Sequence, residues 1–178
     1  MNTAAVPSRR AFGRAMGQLV ALGVLAPLAG CGFQLRQPPT FAFKSIYTGV
    51  APTSVLGSEL KRNLAAMGSV ELITDALQQQ KADVILDVLQ ELRQKIVVGT
   101  NAAGQVREFQ LRLTFRFRLR TPKGKELIPD TEMVQQRDIS FNESAVLAKE
   151  TEEALLYRSM QTDIVNQLMR RLAAVKEI

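Results

Sequence analysis

From Leu111 to Arg120 the chain alternates without a fault: Leu111, Leu113, Phe115, Phe117 and Leu119 fall on one side, Arg112, Thr114, Arg116, Arg118 and Arg120 on the other. Successive side chains of an extended strand point to opposite faces, so this stretch buries its apolar half as a strand with one face on a core and one in water. A helix would scatter the same residues around its circumference. Any fold open to this chain must contain a sheet with one covered and one charged face.

A partner strand precedes it. Asp83 to Lys95 also alternates, with Val84, Leu86, Val88 and Leu92 on one face and Asp83, Asp87, Glu91, Arg93 and Lys95 mostly on the other, and Gly99 to Gly104 is turn material. An antiparallel register in which opposed numbers sum to 203 sets Lys95 against Glu108, Glu91 against Arg112, Asp87 against Arg116 and Asp83 against Arg120. It also stacks Val88 on Phe115, Leu86 on Phe117 and Val84 on Leu119, and leaves Arg118 opposite Ile85 without a cross-strand acid. A sum of 205 would set Arg93 against Arg112. Each exposed charge pair contributes only about 0.2 to 1 kcal/mol, so the apolar face is expected to hold the hairpin while the charges choose its register.

The flanking segments complete the layer. Thr121 to Lys125 is a second turn, and Glu132 to Phe141 is expected to return as a strand, with Pro129 marking its start. Upstream, Ser45 to Val50 is a short strand closed by Pro52. Ser54 caps a helix carrying Leu56, Leu60, Leu64 and Met67, Gly68 stops it, and Ser69 to Ile73 is a further short strand. From Glu150 to Val175 the spacing of Ala154, Leu155, Ile164, Val165, Leu168, Leu172 and Val175 predicts a long amphipathic helix. This order implies an α+β fold, two helices packed on a mostly antiparallel four- to five-stranded sheet in a two-layer sandwich.

The N-terminus has a different character. Arg9, Arg10 and Arg14 precede the apolar run Leu19 to Ala26, which is too short to span a bilayer, and Leu28-Ala29-Gly30-Cys31 follows. Residues 1–30 therefore read as a lipoprotein signal peptide, removed so that the single cysteine, Cys31, becomes N-terminal and carries a thioether-linked diacylglycerol and an N-acyl chain. Several acyl chains anchor where one would not. Ser8-Arg9-Arg10-Ala11-Phe12 is also similar to a twin-arginine export motif, although Gly13 stands where that pattern prefers a bulky apolar residue. Gly32 replaces the Asp that favours inner-membrane retention, which points to the outer membrane. Residues 31–43, with Pro38-Pro39, read as the lipidated cysteine and an extended tether, and 44–178 as one domain.

Composition removes most chemistries. The chain has no His, no Trp and one Cys. Ser-His and Cys-His nucleophiles cannot be built, and zinc or copper sites lose their usual ligands, so no enzymatic activity, metal or cofactor is expected. Paired carboxylates remain formally open, yet the acids of Asp83 to Lys95 have a simpler use as partners of the arginines. The net charge of +6 includes the three signal arginines, so the mature part carries only +3, and this low charge together with the export signal disfavours nucleic acid. Arg112, Arg116 and Arg118 present planar guanidinium forks suited to phosphate or carboxylate, while the plainer reading of charges on a wet sheet face is solvation and pairing.

Several segments carry a resemblance. They are Cys31-Gly32-Phe33-Gln34-Leu35-Arg36, Arg107-Glu108-Phe109-Gln110-Leu111, Arg137-Asp138-Ile139-Ser140-Phe141-Asn142, Val146-Leu147-Ala148-Lys149-Glu150, and Glu152-Glu153 ahead of Gln167-Leu168-Met169-Arg170-Arg171-Leu172. In order and spacing the chain resembles the LptE family of LPS-assembly lipoproteins. The resemblance implies an outer-membrane lipoprotein on the periplasmic face that plugs the LptD β-barrel and binds lipopolysaccharide (LPS) through basic residues for delivery to the cell surface. Arg137 fits the family pattern best in the later strand and joins Arg112, Arg116 and Arg118 as a candidate LPS contact, while the hairpin tip Gly99 to Gly104 lacks Lys and Arg. The alternative is an outer-membrane lipoprotein that acts only as a structural or assembly factor, without touching glycolipid.

Overall fold

The computed structural model describes residues 39–178; the expected signal segment, Cys31 and most of the expected tether lie outside the described residues. In chain order the elements are β1 (Ser45–Thr48), α1 (Val55–Ala66), β2 (Glu71–Ile73), a 3-10 turn (Ala76–Lys81), β3 (Val84–Thr100), β4 (Val106–Arg120), β5 (Glu126–Ser140), a second 3-10 turn (Glu143–Ala145) and α2 (Val146–Ala173). The strands form one sheet in the order β2-β1-β3-β4-β5. The α+β class and the two helices on a sheet are as the sequence implies. The three long strands pair antiparallel, but β1 runs parallel to both β2 and β3, because α1 carries the chain back to its starting end.

The alternation in β4 organises the core. Leu111, Leu113, Phe115, Phe117 and Leu119 are fully buried, in one cluster with Leu56, Leu60 and Leu64 of α1 and Met160, Ile164, Val165, Leu168 and Leu172 of α2. Each such side chain contributes roughly 1.5 to 3 kcal/mol by leaving water, so the helices are held to this face by many times the worth of a surface ion pair. The Ser54 hydroxyl accepts the Gly57 N–H at 2.7 Å and caps α1, as expected. Gly57 permits close seating of α1, since a Cβ there would lie 2.5 Å from Cγ1 of Val50. Gly68, at φ +63°, takes the left-handed conformation that stops the helix.

The expected register of β3 on β4 is wrong. Leu86 pairs with Leu119, Asp87 with Arg118 and Val88 with Phe117, and then Gln90 pairs with Arg116, so Leu89 opposes nothing and forms a bulge. Beyond it Glu91, Arg93, Lys95 and Val97 oppose Phe115, Leu113, Leu111 and Phe109, which puts them on the helix side. Leu92 crosses to the open side with Gln90, Gln94 and Ile96. None of the four expected charge pairs forms, and Arg118, expected to lack a cross-strand acid, opposes Asp87. Asp83 accepts the backbone N–H groups of Lys44 and Ser45, the Ser54 hydroxyl donates to Glu91, and Lys95 reaches Glu153 on α2. The acids that meet the β4 arginines come from both neighbours of β4, so the charge pattern of one hairpin is an incomplete inventory.

Three further corrections follow from packing. Phe41 and Phe43, expected in the tether, stack at 5.2 Å between ring centroids and pack on the core, so the folded unit begins before residue 44. β5 starts at Glu126 rather than Glu132 and keeps Pro129 inside it, which an edge strand with a register shift at that point can accommodate. In α2, Leu155 is 59% exposed and Ala154 is also exposed, while Tyr157, Met160 and Gln161 are buried. Leu155 lies nine residues before Ile164, half a turn out of phase at about 100° per residue. Replacing Ile164 by Ala is expected to lower the unfolding free energy by about 2 to 5 kcal/mol, and Leu155→Ala to change it by under about 0.5 kcal/mol, in urea titrations read by circular dichroism.

Candidate functional site

Among the described residues no helix covers the other side of β4. Arg116, Arg118 and Arg120 follow one another along it at a spacing of about 7 Å, and Arg112 lies further along the same row. Arg116 holds Asp130 with two donors, Nε to Oδ1 at 2.7 Å and Nη2 to Oδ2. Arg118 and Arg120 share Asp87, their Nε atoms donating to the same Oδ2 at 2.8 and 2.7 Å. Arg112 gives Nη2 to the Gln110 side chain at 3.1 Å, and its Nε is buried with no partner among the described residues. The row is flanked by Gln94 and Gln136 beside Arg112, and by Leu92 and Val134 beside Thr114.

These contacts set the local charge states. Burial pushes the Asp87 carboxyl up, but hydrogen bonds from Arg120 and Arg118, with their charges, outweigh it and hold the group below its ordinary value of 3.8. The hydrogen bonds from Arg116 hold the Asp130 carboxyl down in the same way and in turn raise the guanidinium of Arg116. Arg116, Arg118 and Arg120 are thus each engaged by an acid and still partly exposed. An anionic ligand would meet guanidinium groups already oriented by their partners, with the unpartnered Nε of Arg112 as a further donor.

The four candidate arginines do not form one cluster. Arg112, Arg116 and Arg118 share the open face, whereas Arg137 opposes Leu111 and so lies on the helix side. There its Nη2 donates to Asp163 of α2 at 2.8 Å and its Nη1 to the Gln136 carbonyl at 2.7 Å. Cys31 lies outside the described residues.

A second polar site is missed by the sequence reading. Beyond the Leu89 bulge, Arg93 and Lys95 join Glu153, Tyr157, Arg158 and Gln161 of α2 around a groove of about 560 Å³. The Arg93 guanidinium lies 5.3 Å from the Tyr157 ring centroid, and Lys95 Nζ lies 4.4 Å from that of Phe109 and 2.6 Å from Glu153. The Tyr157 hydroxyl donates to the Gln94 carbonyl at 2.8 Å, and burial, then the charge of Glu153, raise its phenol. The adjacent apolar pair Val88-Leu89, which interrupts the alternation, is the available signal.

The residues that build the sheet and both helices match the family model described as LptE: Lipopolysaccharide-assembly, over residues 43–172. This chain belongs to the LptE family. It is 27% identical over 150 residues to the LPS-assembly lipoprotein LptE of Pectobacterium atrosepticum, covering 83% of this chain and 79% of that protein. The solution structure of lipoprotein B from Nitrosomonas europaea superposes with a TM-score of 0.67 at 31% identity, over 80% of this chain and 91% of that one. A minor lipoprotein from Acinetobacter baumannii shares the fold, with a TM-score of 0.60 at 21% identity over 76% and 94% of the two chains.

Asp87 gives the open face an acid dependence. Its carboxyl is depressed in the folded chain, so its contribution is complete above its ordinary value of 3.8 and is lost as acidification protonates the folded-state carboxylate. Asp87→Asn is expected to cost on the order of 1 kcal/mol at pH 7 after allowing for solvent screening, and progressively less as the pH is lowered below 3.8, in urea titrations across that range.

Proposed function

We propose that this LptE-family protein is an outer-membrane lipoprotein, acylated at Cys31 and facing the periplasm, that assembles with and plugs the LptD β-barrel and binds LPS for delivery to the cell surface. The observation that carries the glycolipid reading is the sheet face left open by both helices, with Arg112, Arg116 and Arg118 on one strand and a buried unpartnered donor on Arg112. Binding is non-covalent. Guanidinium groups take the phosphates of the glycolipid head, competing with Asp130 and Asp87, and so weaken the cation-bridged packing between glycolipids. Large barrels have polar interiors, and a face of arginine and glutamine stays satisfied in such a lumen.

The same geometry supports a second reading. Arg116 and Arg118 already have acid partners, which is what a purely structural charged face needs. Under that reading the protein is an assembly factor for the barrel and touches no glycolipid.

The triple variant Arg112→Asp, Arg116→Asp, Arg118→Asp separates the two. Charge-assisted hydrogen bonds contribute about 1.5 to 3 kcal/mol each, so LPS retained by the purified protein is expected to fall at least about tenfold while the barrel still co-purifies. Undiminished LPS with an intact complex rejects the glycolipid site on this face. Arg137→Ala, on the helix side, probes the fourth candidate separately. Acylation is checked by labelled palmitate, which is expected to enter the wild-type chain and not the Cys31→Ala variant; label in neither rejects the lipid anchor.

A further inference from the structure

The sheet has one long open edge. β1 covers only the first residues of β3, with Ile46 against Val84, Tyr47 against Ile85 and Thr48 against Leu86, and the contact ends where the Gly49 N–H donates to the Leu86 carbonyl at 3.0 Å. Among the described residues no strand pairs with β3 from Val88 to Thr100 on the side away from β4. A free edge of this length is a template for another chain, and folded proteins normally shorten, charge or cover it. The β2 edge is three residues long, and the β5 edge carries Pro129 and a register shift. On β3 the charges that could repel a partner are folded back: Lys95 onto Glu153, and Arg93 over the ring of Tyr157. Leu89, Leu92, Val97 and Val98 stay exposed along the same stretch.

The groove beside this edge carries its own signal. Three cations, Arg93, Lys95 and Arg158, and two acids, Glu150 and Glu153, line it; Glu153 is taken by Lys95, Arg93 and Arg158 make no ion pair among the described residues, and Gln161, only 2% exposed, has an Nε2 with no hydrogen-bond partner there. We propose that the free β3 edge accepts an extended polypeptide segment as a sixth strand, with an acidic side chain of that segment in the groove against Arg93 and Arg158. On the reading given under Proposed function, the barrel partner contributes this segment. Backbone hydrogen bonds supply the affinity, and the alternate side chains that fall on the helix side supply the selectivity.

The test places a photo-activated crosslinking residue at Val97 in the full-length protein in cells, with Val134 on the open face as the control position. The expected result is an adduct from Val97 to the barrel partner that maps to an extended segment with an acidic residue, at least about fivefold weaker in the Arg93→Glu, Arg158→Glu variant. Adducts only to a second copy of this chain, Val97 adducts that map to the same barrel residues as those from Val134, or no adduct from Val97 overturn the proposal. Co-purification of the barrel is scored in the same cells. A barrel that co-purifies without a Val97 adduct sinks the strand-addition proposal alone, whereas no barrel at all sinks the function on which it rests.

Discussion

Burial of one side of β4 is the constraint on which the remaining architecture depends. Five fully buried side chains, spaced two apart, fix which way the strand faces, and both helices pack where that surface is. The charged side is then left to water, because the apolar contribution of even two such residues exceeds that of any one ion pair on the opposite face. The arginine row is thus a product of the core: its members share a face because their neighbours had to share the other.

The bulge at Leu89 acts against that regularity. Without it the whole of β3 would repeat the in-out pattern of its first residues. With it, Glu91 turns toward the cap of α1, Arg93 and Lys95 turn toward α2, and Leu92 turns toward the arginine row. One extra residue thereby divides the strand into an apolar half under the helices and a polar half beside them. The groove, the Arg93–Tyr157 contact and the Lys95–Glu153 pair all belong to the second half.

This division explains what can be read in advance. Strict period-two alternation in Leu111–Arg120 and the cap at Ser54 are legible, because each signal is local and each is enforced by burial or by a backbone donor that needs a partner. The register of β3 is not, since charge pairs are too weak to decide it, and the acids that satisfy Arg116 and Lys95 lie on β5 and α2. Leu155 is misplaced when its apolar character is weighed without its angular phase. Arg112, Arg116 and Arg118 share a face by the alternation of their own strand. Arg137 sits on the other side, on a strand whose weaker alternation does not announce its parity.

Asp83 gives the start of the domain a mechanical property. Its carboxylate receives the N–H groups of Lys44 and Ser45 at 2.8 and 3.0 Å, where the chain enters β1, a strand bonded on both sides to parallel neighbours. A pull along that strand loads its bonds together in shear, rather than opening them one by one like a zip. The fold therefore resists tension from its N-terminal side at the point where a tether would apply it.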